Sequence, residues 1–449
     1  MEIVNNKKYQ YCQAVCNFQK YFCSNDAKLH KDFIRDLKEN IEKSVEYSKQ
    51  DLMNYCGHRL YQGTDSYIYY PKRIITGKTS NPNILLVTHE LSRTGAPMVC
   101  LDTAKVLINN GYFVTVISLT EGPLLEEFLN IGSPVVIMKE LKRLQYLHQE
   151  TKHFVDVLDL DAFINYFDIT FMVTATLYNF VKRYFNTSHK IIWWIHEGSE
   201  SYNILGNSMP SRVTPNVKVV CGGQYACFQL ERNHFNYNPS ILNYGVEDDL
   251  ELHKRKNSKK RKKIKFILAG TIGKRKGQLL LLEAIKNLSM EENEQAEFIF
   301  IGDPYKGDFE GLKIQEQLNA YSSHNSNVIV QSSISRKELY KLYEEIDVLV
   351  IASIDDPMPV VATENLMLKN ICLCSNQTGT SYYLEDKKSG FVFKSGDILE
   401  LTDKIRYIIK NRDYLDEIKE NGRKVYENNF EMSIFEQNIL QLISGEVKK

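Results

Sequence analysis

Hydrophobic positions change their spacing twice along the chain. Between Asp26 and Tyr55 they recur at helical intervals (Phe33, Leu37, Ile41, Val45) within a charged stretch that ends near Gly57, which predicts two or three helices. From Asn83 the pattern becomes short unbroken apolar runs set between polar turns and helical stretches. Ile84–Thr88, Phe113–Ser118, Val135–Ile137, Ile169–Val173, Lys190–Ile195 and Val217–Val220 read as strands buried on both faces. The polar turn Ser92–Pro97 leads into a helix running through Val106 to Gly111. After Lys263 the cycle restarts, with strands predicted at Ile264–Leu268, Glu297–Gly302, Val328–Val330, Val348–Ile351 and Ile371–Cys374. Such alternation builds a parallel sheet covered by helices on both sides. The expected fold class is α/β, with two doubly wound parallel-sheet domains facing a cleft and an α-helical N-terminal extension. Ligands of such sheets bind beyond the carboxyl ends of the strands, so the cleft between the domains is the expected site.

Composition agrees with that reading. A chain of 449 residues is too long for one core. Its 43% hydrophobic and 25% charged content excludes disordered and fibrous classes. With 56 basic residues against 56 acidic, the molecule has no overall charge with which to grip nucleic acid. No apolar run approaches the roughly 18–20 residues that span a bilayer, and MEIVNNKKYQYCQ lacks a leader's apolar centre. A cytoplasmic protein is expected. Nine scattered cysteines fit reduced thiols. Cys12, Cys16 and Cys23 share a helical face, with Cys56 and His58 further on, but no tight Cys-x2-Cys pairs mark zinc, so these thiols read as small apolar side chains and no metal is expected.

Charge is concentrated at one place. The run from Lys254 to Lys263 is eight parts basic in ten. A solvated linker is the favoured reading, and attraction to an anionic membrane surface comes next, which would add a peripheral station at the inner face of the membrane. Nucleic acid is disfavoured as a partner because no aromatic residues interleave with the cations. The expected division is therefore 1–80 extension, 81–245 first domain, 246–263 basic linker, 264–430 second domain and 431–449 C-terminal helix.

Several chemistries lack their signatures. The first turn offers only Gly95, without the Gly-x-Gly-x-x-Gly of dinucleotide binding, and neither Gly-x4-Gly-Lys-Ser/Thr nor Gly-x-Ser-x-Gly occurs. Two segments remain. In Ala269–Gly277 (AGTIGKRKG) three cations stand beside glycines directly before a helix, so backbone N–H groups, helix dipole and side-chain charge can converge on an anion. A basic loop at a helix start is the plain alternative. In Asp355–Glu364 (DDPMPVVATE), Asp356 sits in a loop and Glu364 on the first turns of the following helix. Two carboxylates facing a cleft suit hydroxyl-rich ligands, whereas an acid there can equally complement the helix dipole.

In order and spacing these segments resemble the two-domain GT-B glycosyltransferases, specifically the family-4 retaining enzymes (glycosyltransferase group 1), over about residues 83 to 445. The family's Glu-x7-Glu is matched by Asp356 through Glu364, with Asp in place of the first Glu. Its Gly-Arg-Leu…Lys-Gly turn is matched by Gly270-Thr271-Ile272…Lys276-Gly277, with Thr271 where the family has Arg. Asn243–Glu247, Thr94-Gly95-Ala96, Ile195-His196-Glu197 and Thr378–Phe391 resemble its remaining segments. The resemblance implies two Rossmann-like domains, a last helix (Phe435 to Ile443) crossing back onto the first domain, and transfer of a sugar from a nucleotide-diphosphate sugar without a metal or other cofactor. Whether that donor is of UDP or GDP type is not readable. By the same resemblance Glu364 holds the ribose, Asp356 contacts the transferred sugar, and Arg275 and Lys276 neutralise the diphosphate. Gly95, Gly270 and the backbone at Met358, Val360 and Val361 face the donor, and Pro359 removes one N–H from that loop. His196 hydrogen-bonds the sugar or positions the acceptor; its plain alternative is a packed histidine beside Trp193 and Trp194.

The expected function is a retaining, hexosyltransferase-type enzyme of cell-surface polysaccharide or glycoconjugate synthesis, acting on a glycan, glycolipid or protein-linked acceptor. Acceptor-binding residues are not readable. The rival is a catalytically silent relative that binds a glycan or partner enzyme, to which Thr271 and Pro359 lend support.

Overall fold

The computed structural model describes residues 66–138, 164–205, 208–253 and 263–447, apart from positions 74, 76, 79 and 166. Cys12, Cys16, Cys23, Cys56, His58 and nearly all of the basic run lie outside the described residues, as do the helices expected before residue 66.

The first domain is an eight-stranded sheet. Its strands are β1 (Ser66–Tyr69), β2 (Asn83–Thr88), β3 (Phe113–Ser118), β4 (Val135–Met138), β5 (Ile169–Val173), β6 (Lys190–Ile195), β7 (Val217–Cys221) and β8 (Ser240–Ile241), in the order 1-4-3-2-5-6-7-8. The second is a six-stranded sheet of β9 (Ile264–Ala269), β10 (Ala296–Ile301), β11 (Val328–Gln331), β12 (Val348–Ile351), β13 (Ile371–Ser375) and β14 (Phe391–Phe393), in the order 11-10-9-12-13-14. Every strand pairing in the second sheet is parallel, as expected of strands buried on both faces.

One expectation is corrected. Residues 66–69 were to close a helical extension, but β1 is a strand, antiparallel to β4 with Ser66 opposite Met138 and Tyr69 opposite Val135. Tyr67, Ile68, Tyr69 and Tyr70 are strand-forming types, and Pro71 ends the run. The first sheet is thus parallel except at this edge.

Each sheet changes winding direction once, between β2 and β5 in the first and between β9 and β12 in the second. Crevices open at such switch points because the flanking connections leave to opposite faces. Helix α1 (Gly95–Asn109) follows β2, α2 (Ser199–Leu205) follows β6 and α3 (Gln224–Arg232) follows β7. In the second domain α4 (Gln278–Lys286) follows β9, α5 (Arg336–Tyr343) precedes β12 and α6 (Val360–Met367) follows it.

The chain crosses between the domains near Tyr244 and is fixed there by the C-terminal helices α7 (Asp416–Asn429) and α8 (Met432–Val447). Val246 N–H donates to Phe430 O at 2.8 Å, and Tyr426 Oη donates to Val246 O at 2.8 Å. The buried Arg423 pairs with Asp248 and donates to Met367 O at 2.6 Å. Helix α8 lies on the first domain: Phe435 stacks on Trp194 with ring centroids 6.0 Å apart, and Asn110 Nδ2 donates to Glu436 Oε1 at 2.7 Å. One apolar cluster therefore runs from Leu101 and Trp194 through Phe435 and Ile439 to Leu366. Among the described residues no helix is long and apolar enough to cross a membrane.

Candidate active site

The second domain's half of the site is two interlocked turns at the β9/β12 switch. After β9 the chain runs Gly270–Gly277, with a single tight turn at Lys274–Lys276 before α4. Gly277 has φ +73°, and a Cβ there would stand 2.0 Å from Ala352 O, so only glycine lets this turn close on the one after β12. Ile354 N–H donates to Arg275 O at 2.9 Å, which ties the two turns together.

That closure brings the expected cationic and acidic segments into contact. Lys276 Nζ stands 2.6 Å from Asp356 Oδ2, and Arg275 Nη1 lies 3.9 Å from the same oxygen. Arg275 also donates to Asp355 O at 2.7 Å. Asp356 is buried, and Ser353 Oγ donates to it at 3.4 Å. The Thr378–Phe391 stretch supports the acidic turn from behind. Gly379 N–H donates to Asp356 O at 2.8 Å, and a Cβ on Gly379 would overlap Pro357 O.

Glu364 lies on the second turn of α6, with 2% of its surface exposed. Its Oε1 is 2.6 Å from Arg336 Nη2 at the start of α5, and its Oε2 accepts from Tyr343 Oη at 3.3 Å. Burial pushes this carboxyl above its ordinary range, and Arg336 opposes that push.

The first domain presents the facing wall. His196 follows β6 and packs on Trp194 with ring centroids 4.7 Å apart. A Cβ on Gly222 would lie 2.4 Å from His196 Nδ1, so that glycine admits the ring. Burial, with His89 nearby, pushes the imidazole down to about 3, so it is neutral at physiological pH. Its Nε2 is buried and has no hydrogen-bond partner among the described residues. The ring packs against Trp194, with this one nitrogen unpaired. The strand end carrying it is fixed by Glu197, whose carboxylate accepts from His196 N–H and Ala175 N–H, each at 2.8 Å, and from the Thr174 hydroxyl. Thr174 is held at φ +136°, a region costly for any residue with a side chain.

A cavity of about 150 Å³ lies where the two walls meet. Gly95, Ala96, His196 and Tyr244 line it from one side, and Asp356, Met358 and Val360 from the other. Gly95 opens α1 with clear space where a Cβ would be. Val360 opens α6 behind Pro359, so the first N–H groups of that helix turn toward the same space. Gly270 and Val361 are not part of its lining. Of the expected residues, His196, Asp356, Gly95, Met358 and Val360 thus share one cavity, Lys276 and Arg275 join it through Asp356, and Glu364 stands one layer deeper.

Sequence reading missed the group that joins the walls. Asp355, next to the expected Asp356, reaches across the cleft: its carboxylate accepts from Ser199 N–H at 3.1 Å, Glu200 N–H at 2.9 Å and Tyr225 Oη at 2.7 Å. Tyr244 Oη and Thr363 Oγ1 meet at 2.8 Å nearby, and Tyr383 Oη donates to Asn243 Oδ1 at 2.7 Å. Arg336 was missed as well. The Ser335-x-x-Glu338 capping box marked its helix start in the sequence, but not its partner.

Two parallel α/β sheets meeting over a cleft at their carboxyl ends define the GT-B architecture. A family model described as Glycosyl-transferase family 4 matches residues 80–214, and one described as Glycosyl transferases group 1 matches residues 249–425, together more than half of the chain. The chain belongs to the family-4, group 1 glycosyltransferases. Solved structures agree on the fold. HepE (Alr3699) from Anabaena, in complex with UDP and glucose, is 15% identical with a TM-score of 0.64, covering 81% of this chain and 100% of that one. A glycosyltransferase from Rickettsia africae is 18% identical with a TM-score of 0.64, covering 82% and 100%. Sucrose-phosphate synthase from Thermosynechococcus elongatus is 15% identical with a TM-score of 0.62, covering 81% and 99%. No curated protein matches the chain by sequence.

Proposed function

We propose that this glycosyltransferase moves a hexosyl group from a nucleoside-diphosphate sugar to a hydroxyl of a glycan, glycolipid or protein-linked acceptor, with retention of anomeric configuration and without a metal. Cell-surface polysaccharide or glycoconjugate synthesis is the process this suits. The observation that carries the reading is the contact between the Gly270–Gly277 turn and the acidic turn, which sets Lys276 and Arg275 beside Asp356 opposite His196. Breaking the bond from the sugar to the diphosphate puts negative charge on the leaving phosphate, and fixed cations beside a helix N-terminus stabilise that charge most as it develops. Lys276 and Arg275 fill this role, and Arg275 stands in for the arginine that Thr271 replaces. Asp356 accepts from hydroxyls of the transferred sugar, Glu364 from the ribose, and the free Nε2 of His196 serves the sugar or the incoming acceptor. In a retaining transfer the acceptor oxygen bonds to the anomeric carbon on the face the diphosphate leaves. UDP-sugars are the first donors to examine, because HepE is seen with UDP and UDP-glucose.

The test is thermal shift and turnover with a panel of UDP- and GDP-sugars, with and without a chelator, on the wild type, Glu364→Ala and Lys276→Ala. One nucleotide sugar should raise the wild-type Tm and be consumed, with both variants impaired by about tenfold or more. If no nucleotide sugar stabilises the wild type, or both variants respond as it does, the reading fails.

A further inference from the structure

Glu364 is a buried carboxylate whose ion-pair partner comes from a different helix. Its Oε1 is 2.6 Å from Arg336 Nη2, with 3% of the glutamate side chain and 55% of the arginine side chain exposed. Tyr343 Oη, from the same helix as Arg336, donates to Oε2 at 3.3 Å. The guanidinium is itself held, 5.7 Å from the centroid of the Tyr340 ring. The other ionisable groups around this pair are Tyr340 on α5, Tyr244 at the domain crossing, Asp249 just beyond it, and Asp102 and Lys105 on α1 of the first domain. Asp102 and Lys105 are paired with each other at 2.8 Å. Among the described residues, the cation that the Glu364 carboxylate touches is Arg336.

An ionised carboxylate has about four acceptor positions. Arg336 and Tyr343 take one on each oxygen, and the Tyr340 hydroxyl also hydrogen-bonds the carboxylate, which leaves one position to accept from a ribose hydroxyl.

We propose that Arg336 is a positioning residue for the donor: it clamps the Glu364 carboxylate so that its remaining acceptor position meets a hydroxyl of the nucleotide's ribose. The inference rests on the reading of Glu364 as the ribose contact. Arg336 acts through Glu364 and need not touch the nucleotide. Without the guanidinium only the Tyr343 and Tyr340 hydroxyls oppose burial, which favours the protonated form, and that form donates where the ribose needs an acceptor. The sign follows. A carboxyl whose pKa rises on loss of Arg336 binds a proton at higher pH, so the binding lost should return as pH rises and the group ionises.

Calorimetric binding of UDP to the full chain tests this, with GDP substituted if the panel selects it. Arg336→Gln should weaken UDP by about tenfold near neutral pH, with the deficit shrinking toward about pH 9, while a 2′,3′-dideoxy nucleotide binds wild type and variant alike. Arg336→Met, which also removes the charge, should show a similar deficit with the same pH dependence, and carries the test if the glutamine variant does not fold. A deficit that does not vary with pH, or that is as large for the dideoxy nucleotide, overturns the proposal, because Arg336 would then contact the nucleotide or serve only the fold. Glu364→Ala separates the two readings. If it binds UDP as the wild type does, the ribose role of Glu364 fails; if it is weakened and Arg336→Gln is not, only the clamp fails.

Discussion

His196 ends its strand with one buried ring nitrogen that has no hydrogen-bond partner among the described residues, as is also true of Trp194 Nε1 and His89 Nδ1 beside it. A buried polar atom left without a partner costs about 1–3 kcal/mol, so its retention at a cavity is a reason to look for a ligand there. His196→Ala should lower kcat/KM by about tenfold to a hundredfold, which is the worth of one or two hydrogen bonds. Because burial holds the imidazole neutral down to about 3, the pH profile of the residual activity should keep the wild-type midpoints. Steady-state kinetics across pH checks both, and a midpoint near ordinary histidine values that vanishes in the variant would count against a neutral role. Lys276, Asp356 and Glu364 could each be picked out in the sequence as chemically able. Their partners could not, since Arg336 lies 28 positions before Glu364 and Lys276 lies 80 before Asp356.

At the scale of elements, the site depends on two turns that close on each other. Gly277 meets two demands at once, a positive φ and the absence of a Cβ. Gly307 has a similar φ of +88° but nothing within 4 Å of its absent Cβ. Gly277→Ala should therefore cost about 3 kcal/mol or more, from strain together with overlap on Ala352 O, and lower Tm by roughly 6–12 °C. Gly307→Ala should cost only about 1 kcal/mol. Thermal unfolding of the pair separates strain from steric exclusion, and equal losses would mean that the contact with Ala352 is unimportant. The strands and helices themselves were legible because their cores demand unbroken apolar runs. The exceptions were the short strands β1, β8 and β14; β1, whose partner β4 lies about 70 positions away, leaves no periodicity to read.

Across the whole molecule, Asp355 and the Tyr244–Thr363 and Tyr383–Asn243 contacts join the domains directly over the cavity. The crossing at Val246 and the helix α8 join them at the back. Removing the front contacts while the back ones stay should let the cleft open. Asp355→Ala should enlarge the radius of gyration of the unliganded protein in solution scattering and leave unfolding cooperative. An unchanged radius would show that the remaining contacts fix the separation without Asp355. The close packing of Gly198 against Asp355, where a Cβ would lie 2.2 Å from the carboxylate, gives a second way to loosen the same clasp.

By itself the sequence determined that this chain makes two α/β units, because burying both faces of a parallel strand requires an apolar run whatever the strand touches. It also determined which residue types stand at the strand ends, since turn glycines, cations and acids are local choices. Which of those side chains meet was decided only by the tertiary structure. Lys276 reaches Asp356, Arg336 reaches Glu364 and Asp355 reaches the first domain only once winding of the sheets has brought distant turns together. Pairing energies of charges and hydroxyls depend on distances of a few ångströms, and spacing along the chain does not record them.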